Sequence, residues 1–245
     1  MATHRSEPSF GPAPDFGQSP TPTPVSGTPA PVQRPWFSWT LMAICGVAFV
    51  PQILDLTGQP ELAYSLYGPA VAAGEWWRVL TAQVEHHGFI HLAVNGASIL
   101  GFAPFIEKRI GGVRLAVSSL ICGLFSAAFA LFFNWYGYTA GASGMIIGWL
   151  GLGLLIVEAR WRRVLLQWAV FNVIVSLAPG VSWAGHLGGF VGGLGCGALI
   201  RRSDDVVPPA RFGLFDRLSA GLILLGALAV WAAVKLHFPG TGLPR

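Results

Sequence analysis

The sequence predicts an all-α polytopic membrane protein, on three observations. Apolar residues make up 53% of the chain and charged residues only 11%, and mean hydropathy is +0.58, far from the balance of a soluble domain. Two stretches, Leu115 to Val157 and Val164 to Ile200, contain no Asp, Glu, Lys or Arg. Each is long enough for two passes at about 20 residues per pass. A backbone exposed to lipid must satisfy its own hydrogen bonds, so these passes are helices.

Residues 1–35 hold nine of the 18 prolines, mixed with Ser, Thr and Gly and without apolar period. They read as a disordered, partly extended tail. The tail lacks the apolar stretch of a signal peptide and is expected to stay on the protein. Seven hydrophobic segments follow, at 36–56, 86–106, 113–135, 143–158, 163–178, 183–200 and 215–236. Between the first two lies a longer loop, 57–85, carrying "GEWWRVLTAQ". Trp76 and Trp77 beside Arg78 suit a membrane–water interface, so this loop is expected to lie against the outer leaflet.

Twelve of the fifteen cations fall on one side of this topology: Arg5 and Arg34 before the first segment, then clusters at 108–114, 160–163 and 201–217. Arg78, Lys235 and Arg245 fall on the other. By the positive-inside rule the N-terminus is cytoplasmic and the C-terminus external, in a cell (plasma or inner) membrane. The net charge of +4 therefore reflects orientation, and no nucleic-acid partner is expected. Cys45, Cys122 and Cys196 all lie inside segments and read as small packing residues.

Polar groups inside the segments need a reason. "EHHGFIHLAVNGAS" puts His86, His87, His91 and Asn95 in the second segment, with His91 and Asn95 four apart on one helical face. "GASG" heads the fourth segment with Ser143, followed by Gly144 and Gly148 as a small-residue stripe. In the sixth, "SWAGHLGGFVGG" carries His186, with Gly189 and Gly193 on the same side. Glycine faces allow helices to approach more closely than ordinary packing. Each piece is weak by itself, since GASG arises readily in a Gly-rich chain and a single membrane histidine is more often packed or part of an ion path. Topology strengthens them: the starts of the second, fourth and sixth segments share one side of the membrane and one shallow depth.

A serine hydroxyl needs a base, and neutral imidazole suits that role near pH 7. No carboxylate accompanies His186 in sequence or depth, so the unit would be a Ser143–His186 dyad. Attack on an amide would create an oxyanion that requires preorganised donors. His91 and Asn95 offer side-chain N–H groups, and Ser143 opens a helix, where its backbone N–H is free of intrahelical bonding. Gln83, Glu85, His86 and His87 would line a hydrated pocket just outside.

These residues resemble the rhomboid family of intramembrane serine proteases. The similarity rests on "HLAVN" (91–95), "GASG" (141–144) and "GHLGGFVGG" (185–193) in order, with "WWR" and "EKRIG" (107–111) beside them. It implies a six-helix bundle over 36–202 with one additional C-terminal transmembrane helix in 203–245, a six-plus-one arrangement. Ser143 would be the nucleophile and His186 the general base. His91, Asn95 and the Ser143 backbone, with Gly141, would form the oxyanion and substrate-binding site. Gly144, Gly148, Gly189 and Gly193 would pack the fourth and sixth helices. No metal or cofactor is implied, and substrates would be transmembrane segments of other proteins within the lipid bilayer, arriving beside Trp168 and Phe171. Three departures bear on geometry: Ile147 where an aromatic commonly stacks on the histidine, Gly185 for alanine, and Ala82 where some members have histidine.

Three other readings compete. A catalytically inactive relative that binds transmembrane helices is opposed by the presence of the serine, both histidines and the asparagine. A metal or haem protein would use His87 and His91, but the pair reads "HGFIH" and lacks the H-E-x-x-H glutamate. A transporter would need an intramembrane carboxylate or matched broken helices, and neither is found.

Overall fold

The computed structural model describes residues 34–54, 63–202 and 213–239. Residues 1–33 of the tail predicted at 1–35, residues 55–62 of the first loop and residues 203–212 of the linker lie outside the described residues. Nine helices are present among them: α1 (Trp36–Ile53), the short α2 (Gly68–Ala72) and α3 (Arg78–Thr81), α4 (Phe89–Ile110), α5 (Gly112–Phe133), α6 (Ser143–Ile156), α7 (Ala159–Ser176), α8 (Trp183–Arg202) and α9 (Leu214–His237). No strand occurs among the described residues; Leu66 and Thr139 form one isolated antiparallel bridge.

Each predicted segment contains a helix, but the start of the second needs correction. The second helix begins at Phe89, not at residue 86, because Gly88 precedes it at φ +89°, a region that only glycine enters freely. His86 and His87 therefore lie in the approach to α4. Five helices, α1, α4, α5, α8 and α9, are long and apolar enough to span a bilayer. α6 has 14 residues, about 21 Å of rise against a hydrocarbon layer of about 30 Å. α7 carries Arg160, Arg162 and Arg163 in its first turns and is largely exposed.

α6 is the central element, buried along nearly its whole length and packed most extensively on α8. Trp149 at its middle is fully buried, and its indole N–H donates to Ser119 Oγ at 2.9 Å. That hydroxyl donates in turn to Leu115 O at 2.7 Å, so the one polar atom of a large apolar side chain is satisfied. The α6–α8 seam has almost no side chains. A Cβ at Gly189 would collide with Gly144 O, and one at Gly193 with Gly148 O. Gly151 and Gly197 continue the same contact, at 2.6 Å to Phe190 O and 2.8 Å to Leu152 O. The opposite side of α8 is equally close to α5, since a Cβ at Gly188 would strike Phe125 O.

Two buried charges hold outer helices to this core. α1 has no side-chain cap of its own, and Glu107 of α4 supplies one. Its carboxyl oxygens accept Phe37 N–H at 2.8 Å, Ser38 N–H at 2.9 Å and the Ser38 hydroxyl at 2.6 Å. Glu107→Gln puts an NH2 group where a donor already points, and hydrogen bonds to charged groups contribute about 1.5–3 kcal/mol. The variant is expected to lose stability of that order, read as a lower melting temperature in detergent. Arg114 pairs with Asp216 at the start of α9 in a forked contact. At the other end of α9, His237 stacks on the buried Trp135, with centroids 4.6 Å apart and planes 4° from parallel.

Candidate active site

The segment between α5 and α6 brings Ser143 into place. Leu66 and Thr139 exchange backbone hydrogen bonds at 2.9 and 3.0 Å, and Gly141 N–H donates to Ala82 O at 2.8 Å. The long loop before α4 is thereby stitched to the strand-like approach to α6. Arg78 secures that loop, donating to Glu75 at 2.7 Å and to Ser65 O at 2.8 Å. Trp76 and Trp77 beside it remain about half exposed.

Gly141 has φ +111°, and a Cβ there would lie 2.7 Å from His91 Cε1 and 2.8 Å from Nε2. Both the backbone and the space therefore demand glycine. Ala142 caps the helix and Ser143 is its first residue, where backbone N–H groups have no intrahelical acceptor. His186 sits in the first turn of α8. The glycine seam sets these two helix starts side by side, and Ser143 Oγ lies 2.8 Å from His186 Nε2. The imidazole is buried, and its other nitrogen, Nδ1, is 2.6 Å from Ser176 Oγ.

His91 and Asn95 face the same space from α4. His91 Nδ1 accepts His87 N–H at 3.3 Å, which leaves the proton on Nε2, the atom beside Gly141. Asn95 Nδ2 donates to His91 O at 2.9 Å, and its buried Oδ1 has no partner among the described residues. All four side chains line one cavity of about 340 Å³, with Gly141 and Gly144 in its wall. Among the described residues no group of three His, Cys, Asp or Glu side chains could hold a metal ion.

Of the four residues predicted to line the approach, Gln83 and His87 do so. Glu85 and His86 do not line this cavity, because both have structural partners. Glu85 accepts from Ser65 Oγ at 3.0 Å and from Tyr64 N–H at 3.3 Å. His86 is fully buried, with Nδ1 donating to Val84 O at 3.0 Å and Nε2 facing Ala142 N–H at 3.5 Å. Burial, then the neighbouring His91 and His87, push its pKa down to about 4, so the ring is neutral at pH 7. Sequence reasoning missed Ser176, Ser182 and Thr139, which the cavity or the histidine touches. Ser182 lies four residues before His186 and could have been noticed as a candidate for the turn that opens α8.

Residues 73–203 match the family model of the Rhomboid domain. Among curated proteins, rhomboid protease GluP of Bacillus subtilis is 33% identical over 222 residues, covering 84% of this chain and 42% of that protein. Putative rhomboid protease YdcA of the same organism is 32% identical over 136 residues, covering 52% of this chain and 68% of YdcA. RHOMBOID-like protein 5 of Arabidopsis thaliana is 25% identical over 244 residues, covering 80% and 79%. This chain thus spans less than half the length of GluP and between two thirds and four fifths of the other two.

Proposed function

Since this chain belongs to the rhomboid family of serine intramembrane proteases and is a multi-pass membrane protein, we propose that it hydrolyses peptide bonds in or near transmembrane segments of other proteins through Ser143 and His186. The observation that carries this reading is the 2.8 Å contact between Ser143 Oγ and His186 Nε2 in a cavity that His91 and Asn95 also line.

In this mechanism Nε2 takes the hydroxyl proton as Oγ attacks the scissile carbonyl, forming a tetrahedral oxyanion and an imidazolium. The oxyanion is received by the Ser143 backbone N–H, His91 Nε2–H and the second N–H of Asn95. The positive end of the α6 dipole adds to that field. The imidazolium then protonates the leaving amine, and water, activated by the same ring, releases the acyl group. Gly141 leaves room for the His91 ring beside the oxyanion, and the four seam glycines set the separation of nucleophile and base.

A substrate helix must reach this cavity sideways. α7 is the most loosely packed of the long helices, with Leu165 and Ser176 its only fully buried residues and Trp168 and Phe171 more than half exposed. We assign it to the side on which the substrate arrives. The distribution of cations supports a cytoplasmic N-terminus, with the cavity opening toward the external leaflet.

The test is a fluorophosphonate probe applied to folded protein in detergent. Covalent modification should map to Ser143 by mass spectrometry and vanish in His186→Ala. Failure to modify Ser143, while a soluble serine hydrolase in the same detergent reacts, would overturn the reading.

A further inference from the structure

The nitrogen on which a catalytic triad would place a carboxylate is engaged here by a second serine. Ser176, the last residue of α7, is buried and has two neighbours at 2.6 Å, the carbonyl oxygen of Asn172 and His186 Nδ1. A hydroxyl has one proton. The Asn172 carbonyl can only accept, and an oxygen–oxygen separation this short requires a proton between the atoms. The Ser176 proton therefore points at Asn172, and Ser176 Oγ must accept from Nδ1–H. This leaves the Nε2 lone pair facing Ser143 Oγ at 2.8 Å.

We infer that Ser176 is a positioning residue which, through its bond to the Asn172 carbonyl, holds the proton of His186 on Nδ1 and so keeps Nε2 ready to act as the base. The inference rests on the Ser143–His186 reading given above. In the opposite tautomer Nε2 carries the proton and cannot accept from Ser143, so the first step stops. When the ring becomes an imidazolium, Nδ1–H still donates to a hydroxyl already polarised by a carbonyl, and the positive charge keeps its partner. The device is a relay of three hydrogen bonds without a carboxylate. It also brings a third helix into the site: α6 supplies the nucleophile and α8 the base, while α7 sets the base's protonation pattern.

The experiment uses the full chain in proteoliposomes with a transmembrane peptide substrate. Ser176→Ala is expected to lower kcat about tenfold to thirtyfold with KM within about twofold of wild type. Ser176→Thr, which keeps the hydroxyl, should lie within about threefold of wild type. In protein labelled with 15N-histidine, the ring-nitrogen shifts should show His186 protonated on Nδ1 in wild type and should change in Ser176→Ala. Unchanged kcat in Ser176→Ala, or an Nε2-protonated His186 in wild type, would overturn the inference. If Ser176→Ala does not fold, the wild-type shifts and the Ser176→Thr rate decide. An active wild type with a dead Ser143→Ala and a fully active Ser176→Ala would remove this inference alone. A wild type that neither cleaves nor reacts with fluorophosphonate would remove both.

Discussion

Ser143→Ala is expected to lower kcat for transmembrane-peptide cleavage about 10,000-fold in proteoliposomes while leaving the melting temperature nearly unchanged. The rate follows from chemistry: without Oγ there is no acyl-enzyme, and only the oxyanion donors and substrate positioning remain, as when a member of a serine-protease triad is removed. The stability follows from geometry: the substitution deletes one hydrogen bond, to His186 Nε2, whose net contribution is about 1 kcal/mol. His186→Ala should reach a similar floor, and the double variant should be no slower than either single one, because residues acting as a unit are not additive. A Ser143→Ala protein retaining a tenth of the wild-type rate would be incompatible with a serine mechanism.

Gly193→Val is expected to cost about 3 kcal/mol of stability or more and to lower kcat at least tenfold. The first methyl-bearing carbon alone would run into Gly148 O, a backbone atom that cannot rotate away, so the two helices must part. Parting them moves the base relative to the nucleophile, and a misplacement of about 1 Å is enough for large losses in rate. Gly195, two residues away on the same helix, has nothing within 4 Å of a built Cβ. Gly195→Ala should therefore be neutral, or stabilising by up to about 1 kcal/mol through helix propensity. Thermal unfolding in detergent and the rate of fluorophosphonate labelling would read both variants. Equal behaviour of the two would mean that the seam does not govern the site.

Much of this architecture was legible in the sequence because lipid removes alternatives. Long uncharged runs must be helices, and glycines repeating every fourth residue after Ser143 and His186 imply close approach on those faces. That the starts of α4, α6 and α8 meet followed from topology alone. What stayed hidden were choices among polar partners. The polarity of Glu85 and His86 suggests the lining of a wet pocket, yet polarity does not identify the partner; Ser65 and the Val84 carbonyl are the partners. Ser176 was hidden for the converse reason. A hydroxyl near the end of an apolar run usually bonds back to its own helix, and Ser176 does, but its lone pair also reaches a histidine on the next helix.

The last helix is gripped at both tips, by Asp216 on Arg114 and by His237 on Trp135. A rod pinned twice can neither roll about its axis nor slide, so Gly226 stays turned inward against Leu124 and Phe125 whatever covers the outer flank. Leu224, Leu225, Leu228 and Trp231 on that flank are thereby relieved of any duty in registration. Their identities can drift with the thickness and chemistry of the surrounding acyl chains without disturbing the hydrolytic centre.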